Sequence, residues 1–567
     1  MSRSFPLVAL LLALLLSGCA TYGSGLNSTI QGLQNGDFAA SEASLKKILS
    51  PTGNDSLLYY TELAVIKHLQ GDFAGSNALL ETAERIADDL ETTRLSDALV
   101  TMMSNPRQGP YGGADFEKMF INYYKALNYF GLAQQAADQN GRLDALESAG
   151  VEARRLTIRL NDIASRKGTY MADAEEERTF GALMDFFNKV LRGNLVDLDS
   201  LRYRDDAMAH YLAAISFEMN NDFDDARISY QKAAQAYEKG YVKQYRLDDG
   251  MIAQAWFDTI RMMRRAGGYD SEWRALAKRK LSAEQQRELD NWTRDKAQLI
   301  VLEHKGLAPH RKEMNLLLSL NSAIKSMQLR PVMSLQDQNQ MAWFYMLYAD
   351  KGVLGVVTTY LDAVNLGLLS YGFTKTVFLG PLWDSAEALG LIDAIGSGLR
   401  VTVPYYDPVT PLGASTLAVN GQQLPLLKSS NPALMALQEQ MTQASYDIQM
   451  AFSRAALKAI TAQQLNQVSK EYGGLLAMVG KLAAQLTDAA ETRNWLLLPQ
   501  DIRIRRVALE AGEHQLQLTS EMPTGLQTQT QTVTLQAGEI HFWRVRTLPQ
   551  LGHTALTPAK QLAQNAN

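Results

Sequence analysis

The sequence predicts a mainly α protein: an array of helical hairpins, then a mixed α/β region, then a small C-terminal antiparallel β-module. Three observations carry this. Gly36-Asp37-Phe38-Ala39-Ala40-Ser41 returns 35 residues later as Gly71-Asp72-Phe73-Ala74-Gly75-Ser76. From Phe116 to Phe130, within a helical stretch that begins at Asn27, apolar residues recur at steps of three and four, the spacing of a helix that buries one face. The tail from Ile502 to Val545 instead alternates polar and apolar residues, the period of a strand.

The N-terminus sets an address. Arg3 and an apolar run from Phe5 to Leu16 lead into Leu16-Ser17-Gly18-Cys19. A basic start, a short apolar core and small residues at the cut are the layout of a secretory signal, and the four residues read as a lipobox. The run is too short to cross a bilayer, which takes about 20 apolar residues. Residues 1–18 are expected to be a signal peptide, Cys19 the lipidation site and 19–26 a lipidated linker. Acyl chains such as palmitate, at about 0.8 kcal/mol per buried methylene, would hold the protein on a membrane. Ala20 stands where enterobacterial inner-membrane lipoproteins carry Asp, so the expected location is the outer membrane, facing the periplasm. Cys19 is the single cysteine of 567 residues, which excludes disulfides, a disulfide-linked partner and cysteine-based metal sites or nucleophiles.

Residues 27–292 read as the repeat domain. The period is close to the 34 of tetratricopeptide repeats. Gly or Asn breaks a first helix, Asp caps the second, and the following Phe packs across the turn; Asn221-Asp222-Phe223 is a more distant third copy. Ala43, Ala78 and Ala226 are expected to let the paired helices approach closely. Thr101 to Gly113 reads as a loop, Asp115 to Ala164 as two further helices, and the helical pattern breaks at Gly267-Gly268.

Residues 293–500 read as a mixed helical region with short strands. Gln298 to Glu303 is a buried strand, followed after Gly306 and Pro309 by a helix through Lys325; Arg400 to Tyr405 is a second strand, and Asn431 to Ala490 is helical with a turn at Gly473-Gly474. Gly352 to Leu399 is strongly apolar but interrupted by charges such as Asp362, Lys375 and Asp384, so buried helices are expected there and not membrane spans. Residues 501–552 form the β-module, with turns at Gly512 and Gly538, and 553–567 a flexible tail.

Several short motifs carry a resemblance. Phe116-Glu117-Lys118 leading to Tyr124-Lys125-Ala126-Leu127-Asn128-Tyr129, then Glu152-Ala153-Arg154-Arg155, Gly306-Leu307-Ala308-Pro309-His310-Arg311-Lys312-Glu313, Arg454-Ala455-Ala456-Leu457-Lys458-Ala459, Thr492-Arg493-Asn494-Trp495 through Leu498-Pro499, and Ala511-Gly512-Glu513-His514 occur in order. Together they resemble a family of uncharacterised bacterial outer-membrane lipoproteins with tetratricopeptide-like helical repeats. Met341 to Leu399 departs from that pattern. The resemblance implies a lipoprotein without an assigned enzymatic activity, associated with lipoproteins that activate peptidoglycan synthases.

Composition narrows the chemistry. Hydrophobic residues make up 46% and charged residues 20% of the chain, as in folded soluble proteins, and the net charge of −5 with no long basic run argues against nucleic acid. None of the seven histidines lies in a His-Glu-x-x-His pattern, and His304 and His310 lack an apparent third metal ligand. Ser44-x-x-Lys47 and Ser322-x-x-Lys325 match the acyl-serine pattern without its Lys-Thr-Gly partner, and each fits an exposed helix face better. Carboxylate pairs such as Asp88-Asp89 fit caps and solvated faces. No catalytic, metal or cofactor site is therefore assigned.

Tandem hairpins stack into a superhelix whose groove can grip an extended partner. Core packing is the favoured reading of the aromatics, Trp343, Phe344 and Tyr345 included, with Tyr60 and Tyr124 as the candidates for groove contacts. The expected function is an outer-membrane lipoprotein acting as a periplasmic protein–protein interaction scaffold or adaptor in envelope assembly, tethered by lipid and binding a periplasmic or outer-membrane protein. The alternative is a peptidoglycan- or polysaccharide-acting enzyme, or a glycan-binding or export accessory protein.

Overall fold

A computed structural model describes residues 22–96, 106–166, 178–191, 206–332, 339–340, 343–344, 375–396, 398–468 and 489–549. Cys19, the signal segment and the tail from 553 lie outside the described residues.

The recurring turn sequence makes a recurring turn. Helices α1 (Asn27–Gln34) and α2 (Phe38–Ile48), α3 (Ser56–Leu69) and α4 (Phe73–Ser96), and, further on, α8 (Ala207–Met219) and α9 (Phe223–Ala236) are hairpins joined by it. In each, the residue before Asp adopts positive φ: Gly36 at 73°, Gly71 at 79° and Asn221 at 64°. The same two bonds then close the helix end. Asp37 N donates to Gly32 O, Asp72 N to Lys67 O and Asp222 N to Phe217 O, while Gly36 N, Gly71 N and Asn221 N donate three residues back. Asp37 and Asp72 also cap the next helix by accepting from Ala40 N and Gly75 N. Asp222 makes no such cap and pairs instead with Arg154 at 3.5 Å.

The small residues at the hairpin contact sit two positions earlier than expected in the first two copies. Ala43 and Ala78 are exposed, whereas Ser41 and Ser76 are buried at the position equivalent to Ala226. A Cβ on Gly32 would run into Ser41 Oγ, and Ser76 Oγ donates to Ala64 O across the pair at 2.7 Å. A buried serine that bonds a facing carbonyl allows the same close approach as alanine.

Between these hairpins, α5 (Asp115–Gln135) packs on α4 and on α6 (Gln139–Arg166), and α8 packs on α6. After α9, a π-turn at Tyr237–Tyr241 bends the chain at Gly240, and α10 (Gly250–Ala266), α11 (Asp270–Lys280) and α12 (Ala283–Asn291) extend the layer. Helix α5 is buried along nearly its whole length, because both of its faces are covered.

What covers it is the second half of the chain. Strand β1 (Ala297–Lys305) is buried at every residue. It pairs in parallel with β12 (Ile540–Thr547) and antiparallel with β9 (Asp501–Leu509), which pairs with β8 (Leu427–Ser430). Alternation then gives this sheet two apolar faces. Ile300, Leu302, Ile502, Ile504 and Phe542 join the helical core. Leu299, Val301, Leu509, Trp543 and Val545 pack against a second sheet, in the order β11 (Gly525–Leu535), β10 (Gly512–Met522), β6 (Ser415–Val419) and β7 (Gln422–Pro425). The expected C-terminal β-module is thus not a unit of its own. Its strands exist, but β9 and β12 flank β1 and β10 extends a hairpin from residues 415–425.

A third sheet orders β4 (Lys375–Phe378), β3 (Ser326–Pro331), β2 (Arg311–Asn321) and β5 (Leu399–Tyr406) and packs under the long helix α15 (Pro432–Val468), on which α7 (Arg178–Leu191) also rests. Here the helix expected before Lys325 is corrected to strand β2. Met314, Leu316 and Leu318 are its buried residues, so the leucine-rich run has period two once a sheet partner exists. Ser322 to Lys325 is the β2–β3 turn and not a helix face. Of the apolar stretch 352–399, the described part begins with a strand and continues into two short helices, α13 (Leu382–Ala388) and α14 (Leu391–Ile395). Residues 469–488, including Gly473-Gly474, lie outside the described residues, and the chain is not helical from 489 to 500. Among the described residues no helix is long and apolar enough to cross a membrane.

Candidate functional site

Two places concentrate polar chemistry. The first is the junction where the helical layer meets the sheets. The segment from Glu491 to Gln500 is buried without belonging to any strand, so its N–H groups need acceptors from elsewhere. Two buried carboxylates supply them. Glu117, in the first turn of α5, accepts from Trp495 N at 2.8 Å, Ala114 N at 3.1 Å and Tyr111 OH at 2.6 Å. Glu62 of α3 accepts from Leu496 N at 2.7 Å, Leu497 N at 3.0 Å and Tyr22 OH at 3.0 Å. Burial raises both carboxyls, and Glu62 reaches about 8 even though its three donors pull it down.

Tyr124 lies in this junction and not in an open groove. It is 1% exposed, its ring is 5.8 Å from that of Trp495, and its hydroxyl approaches His304 Nδ1 at 3.5 Å. Tyr123 OH bonds the other nitrogen of His304 at 3.0 Å. The groove-contact assignment of Tyr124 is therefore corrected: strand β1 occupies the space in front of it. Tyr60 is half-buried and stacks edge-on to Tyr59 at 5.2 Å. Trp343 and Phe344 are core residues. His68 bonds Asn128 Oδ1 at 2.6 Å, and burial pushes its ring down to about 4. His304 is lowered by the same cause, so both imidazoles are neutral. His310 packs against Gly23, and no group of three or more His, Cys, Asp or Glu that could hold a metal occurs among the described residues.

Motifs far apart in sequence meet here. Arg493 donates to Glu491, Asp55 and the carbonyls of Asn54, Pro106 and Gly109, stapling three chain segments. Asn494 donates to Pro309 O and accepts from Arg311 N, while Ala308 N donates to Leu498 O. On the outer side of α5, Lys125 pairs with Glu81, Glu84 and Glu152 at 2.5, 2.8 and 3.0 Å. Thus Glu117, Tyr124, Lys125, Glu152, Gly306 to Arg311 and Arg493 to Leu498 build one connected framework. Arg454 to Ala459 lies on α15, and Ala511 to His514 at the β9–β10 turn.

A second buried polar group went unread in the sequence. Arg261 and Arg506 both grip Glu218, with contacts of 2.5 to 2.9 Å, and all three are nearly solvent-free. Asp258 accepts from Arg261 at 2.9 Å and from Tyr211 OH at 2.5 Å. Burial raises the Glu218 carboxyl, but two guanidiniums outweigh it and hold the group well below the usual carboxylate range. The signal was Asp258 and Arg261, three apart and both set among apolar neighbours on α10.

The other place is open to solvent. A cavity of about 610 Å³ lies between the end of α9, α10 and α11, lined by Gln231, Gln235, Glu238, Lys239, Trp256, Leu276, Arg279 and Lys280. Lys280 sits 4.6 Å from the Trp256 ring centroid and pairs with Glu238 at 2.6 Å. Amides, cations and an apolar floor suit non-covalent recognition, with no nucleophile and base in hydrogen-bond contact among the lining residues. No family model matches the chain, and no curated protein matches it.

Proposed function

We propose that the protein is an outer-membrane lipoprotein that faces the periplasm and serves as an interaction scaffold or adaptor in envelope assembly, its helical hairpins forming a tetratricopeptide-like array. The observation that carries the reading is the lipobox Leu16-Ser17-Gly18-Cys19 set before a layer of stacked hairpins that share one turn geometry. Lipid on Cys19 confines the chain to a surface, where effective concentration replaces tight intrinsic affinity. The inner face of the array is filled by the protein's own sheet, so partner contacts fall on outer helices and on the cavity beside α11. A wall-acting enzyme finds less support: Glu62 and Glu117, two buried carboxyls raised toward general-acid behaviour, are committed to backbone amides away from the cavity beside α11.

In-cell crosslinking of the lipidated protein, followed by mass spectrometry, tests this. A reproducible envelope protein crosslinked to helical-layer residues is the expected result. Capture of glycan fragments alone would overturn the adaptor reading. Cys19→Ser should move the protein out of the membrane fraction; retention there would refute the anchor.

A further inference from the structure

The cavity beside α11 differs from the buried polar sites described above in presenting polar groups without protein partners to solvent. Three cations and one carboxylate line it; Glu238 is paired with Lys280, Lys239 has a contact of its own, and the spare groups are Arg279 and two glutamines. Arg279 is exposed and makes no ion pair with any described residue, and the side-chain amides of Gln231 and Gln235 make no hydrogen bond to one. Trp256 and Leu276 supply an apolar wall. The volume falls within the roughly 300–1,000 Å³ of small-ligand sites, room for a short segment and not for a folded domain. Trp256 is only 5% exposed with Lys280 over its ring, so no open aromatic face remains for a sugar to stack on.

We propose that this cavity binds an acidic peptide segment of a partner protein. An apolar side chain of the segment sits against Leu276, its carboxylates meet Arg279, Lys239 and Lys280, and Gln231 and Gln235 bond its main chain. This rests on the adaptor reading and names the chemistry of its contact. The pair Glu238–Lys280 holds one cation in place before binding, which lowers the ordering cost of recognition.

The test is fluorescence anisotropy of the full mature chain carrying Cys19→Ser, titrated into a labelled library of N-acetylated tetrapeptides with two acidic and two apolar positions. Binding by members of the library is expected, weakened roughly tenfold or more when Asp and Glu are replaced by Asn and Gln, and weakened by added salt. Arg279→Glu and Lys239→Glu, both on exposed side chains, should each lower affinity roughly tenfold without changing the circular dichroism spectrum. Equal binding of acidic and amide peptides, no binding across the library, or binding indifferent to both charge reversals would overturn the proposal. Competition by inorganic phosphate as strong as by peptide would reduce the site to an adventitious anion site only, and would also overturn it. The adaptor reading fails separately: peptide binding without a crosslinked partner removes the adaptor, whereas a partner crosslinked away from α9–α11 removes only this site.

Discussion

The junction around Glu62 and the cavity beside α11 are both rich in polar side chains, and they differ in how those groups are satisfied. At the junction the two carboxylates and the backbone amides of Trp495, Leu496 and Leu497 are paired within the protein, while a few buried side-chain donors, among them Trp495 Nε1, Thr492 Oγ1 and Arg311 Nε, find no partner among the described residues. At the cavity, amides and a guanidinium face solvent without protein partners. Buried polarity that is internally paired fixes one arrangement of the chain, while unpaired polarity at a surface is available to another molecule. The lesson is that perturbed titration alone does not locate function here. The strongest shifts lie where the fold is locked.

The largest expected effect tests the lock. Glu218→Leu leaves Arg261 and Arg506 buried without their shared carboxylate and should cost about 3–5 kcal/mol in urea denaturation. A cost below about 1 kcal/mol would mean that water reaches the cluster and that the contrast with the cavity is false. Next comes Glu62→Ala, which orphans the N–H groups of Leu496 and Leu497 and should cost about 2–4 kcal/mol.

Glu62 also carries a pH signature. Its folded value of about 8 stands above the ordinary 4.5, so the folded state holds the extra proton and stability contributed by this group falls as pH rises through that window. His68, lowered from 6.5 to about 4, acts the other way, adding stability as pH rises from 4 to 6.5. Subtracting the pH profile of Glu62→Gln from that of the wild type isolates the carboxyl: the difference should decline between pH 5 and 8, and a flat difference would contradict the assignment.

A smaller effect concerns the turns: Gly36→Ala, at φ 73°, should cost about 1–2 kcal/mol, and Asp37→Ala about 1 kcal/mol through the lost cap. The smallest sharpens the comparison from the other side. Arg279→Glu should leave the denaturation midpoint within about 0.5 kcal/mol of wild type, since it breaks nothing internal.

Local devices were the legible ones. The Gly-Asp-Phe turns, the strands at Arg400 and Ile502, and the helix break at Gly267 are written in neighbouring residues, and the structure has them there. Arg311 to Asn321 reads as a helix because a leucine-rich run takes its period from whatever it packs on, and one of its two strand partners, β5, begins only at Leu399. Tyr124 was misplaced for the same reason: nothing near it in sequence announces that β1 covers α5. The Glu218–Arg261–Arg506 cluster joins three distant elements, and only charges on apolar helix faces hinted at it. The cavity has no sequence motif at all, since its lining comes from three helices and a turn.

The pairing of β1 between β9 and β12 has a consequence for how the molecule is made. Strand β1 lies next to α12 in sequence, yet both its neighbours arrive only after residue 500, and the parallel pair joins Gln298 to Ile540. Until then the inner helices would expose Leu127, Phe130 and Tyr124 to solvent or to other chains. Long-range pairing of this kind is slow and leaves an aggregation-prone intermediate while it waits. A chain emerging from its N-terminus must therefore be guarded until β9 and β12 follow, and a protein cut short near residue 500 would lack more than a terminal appendage: it would have no centre.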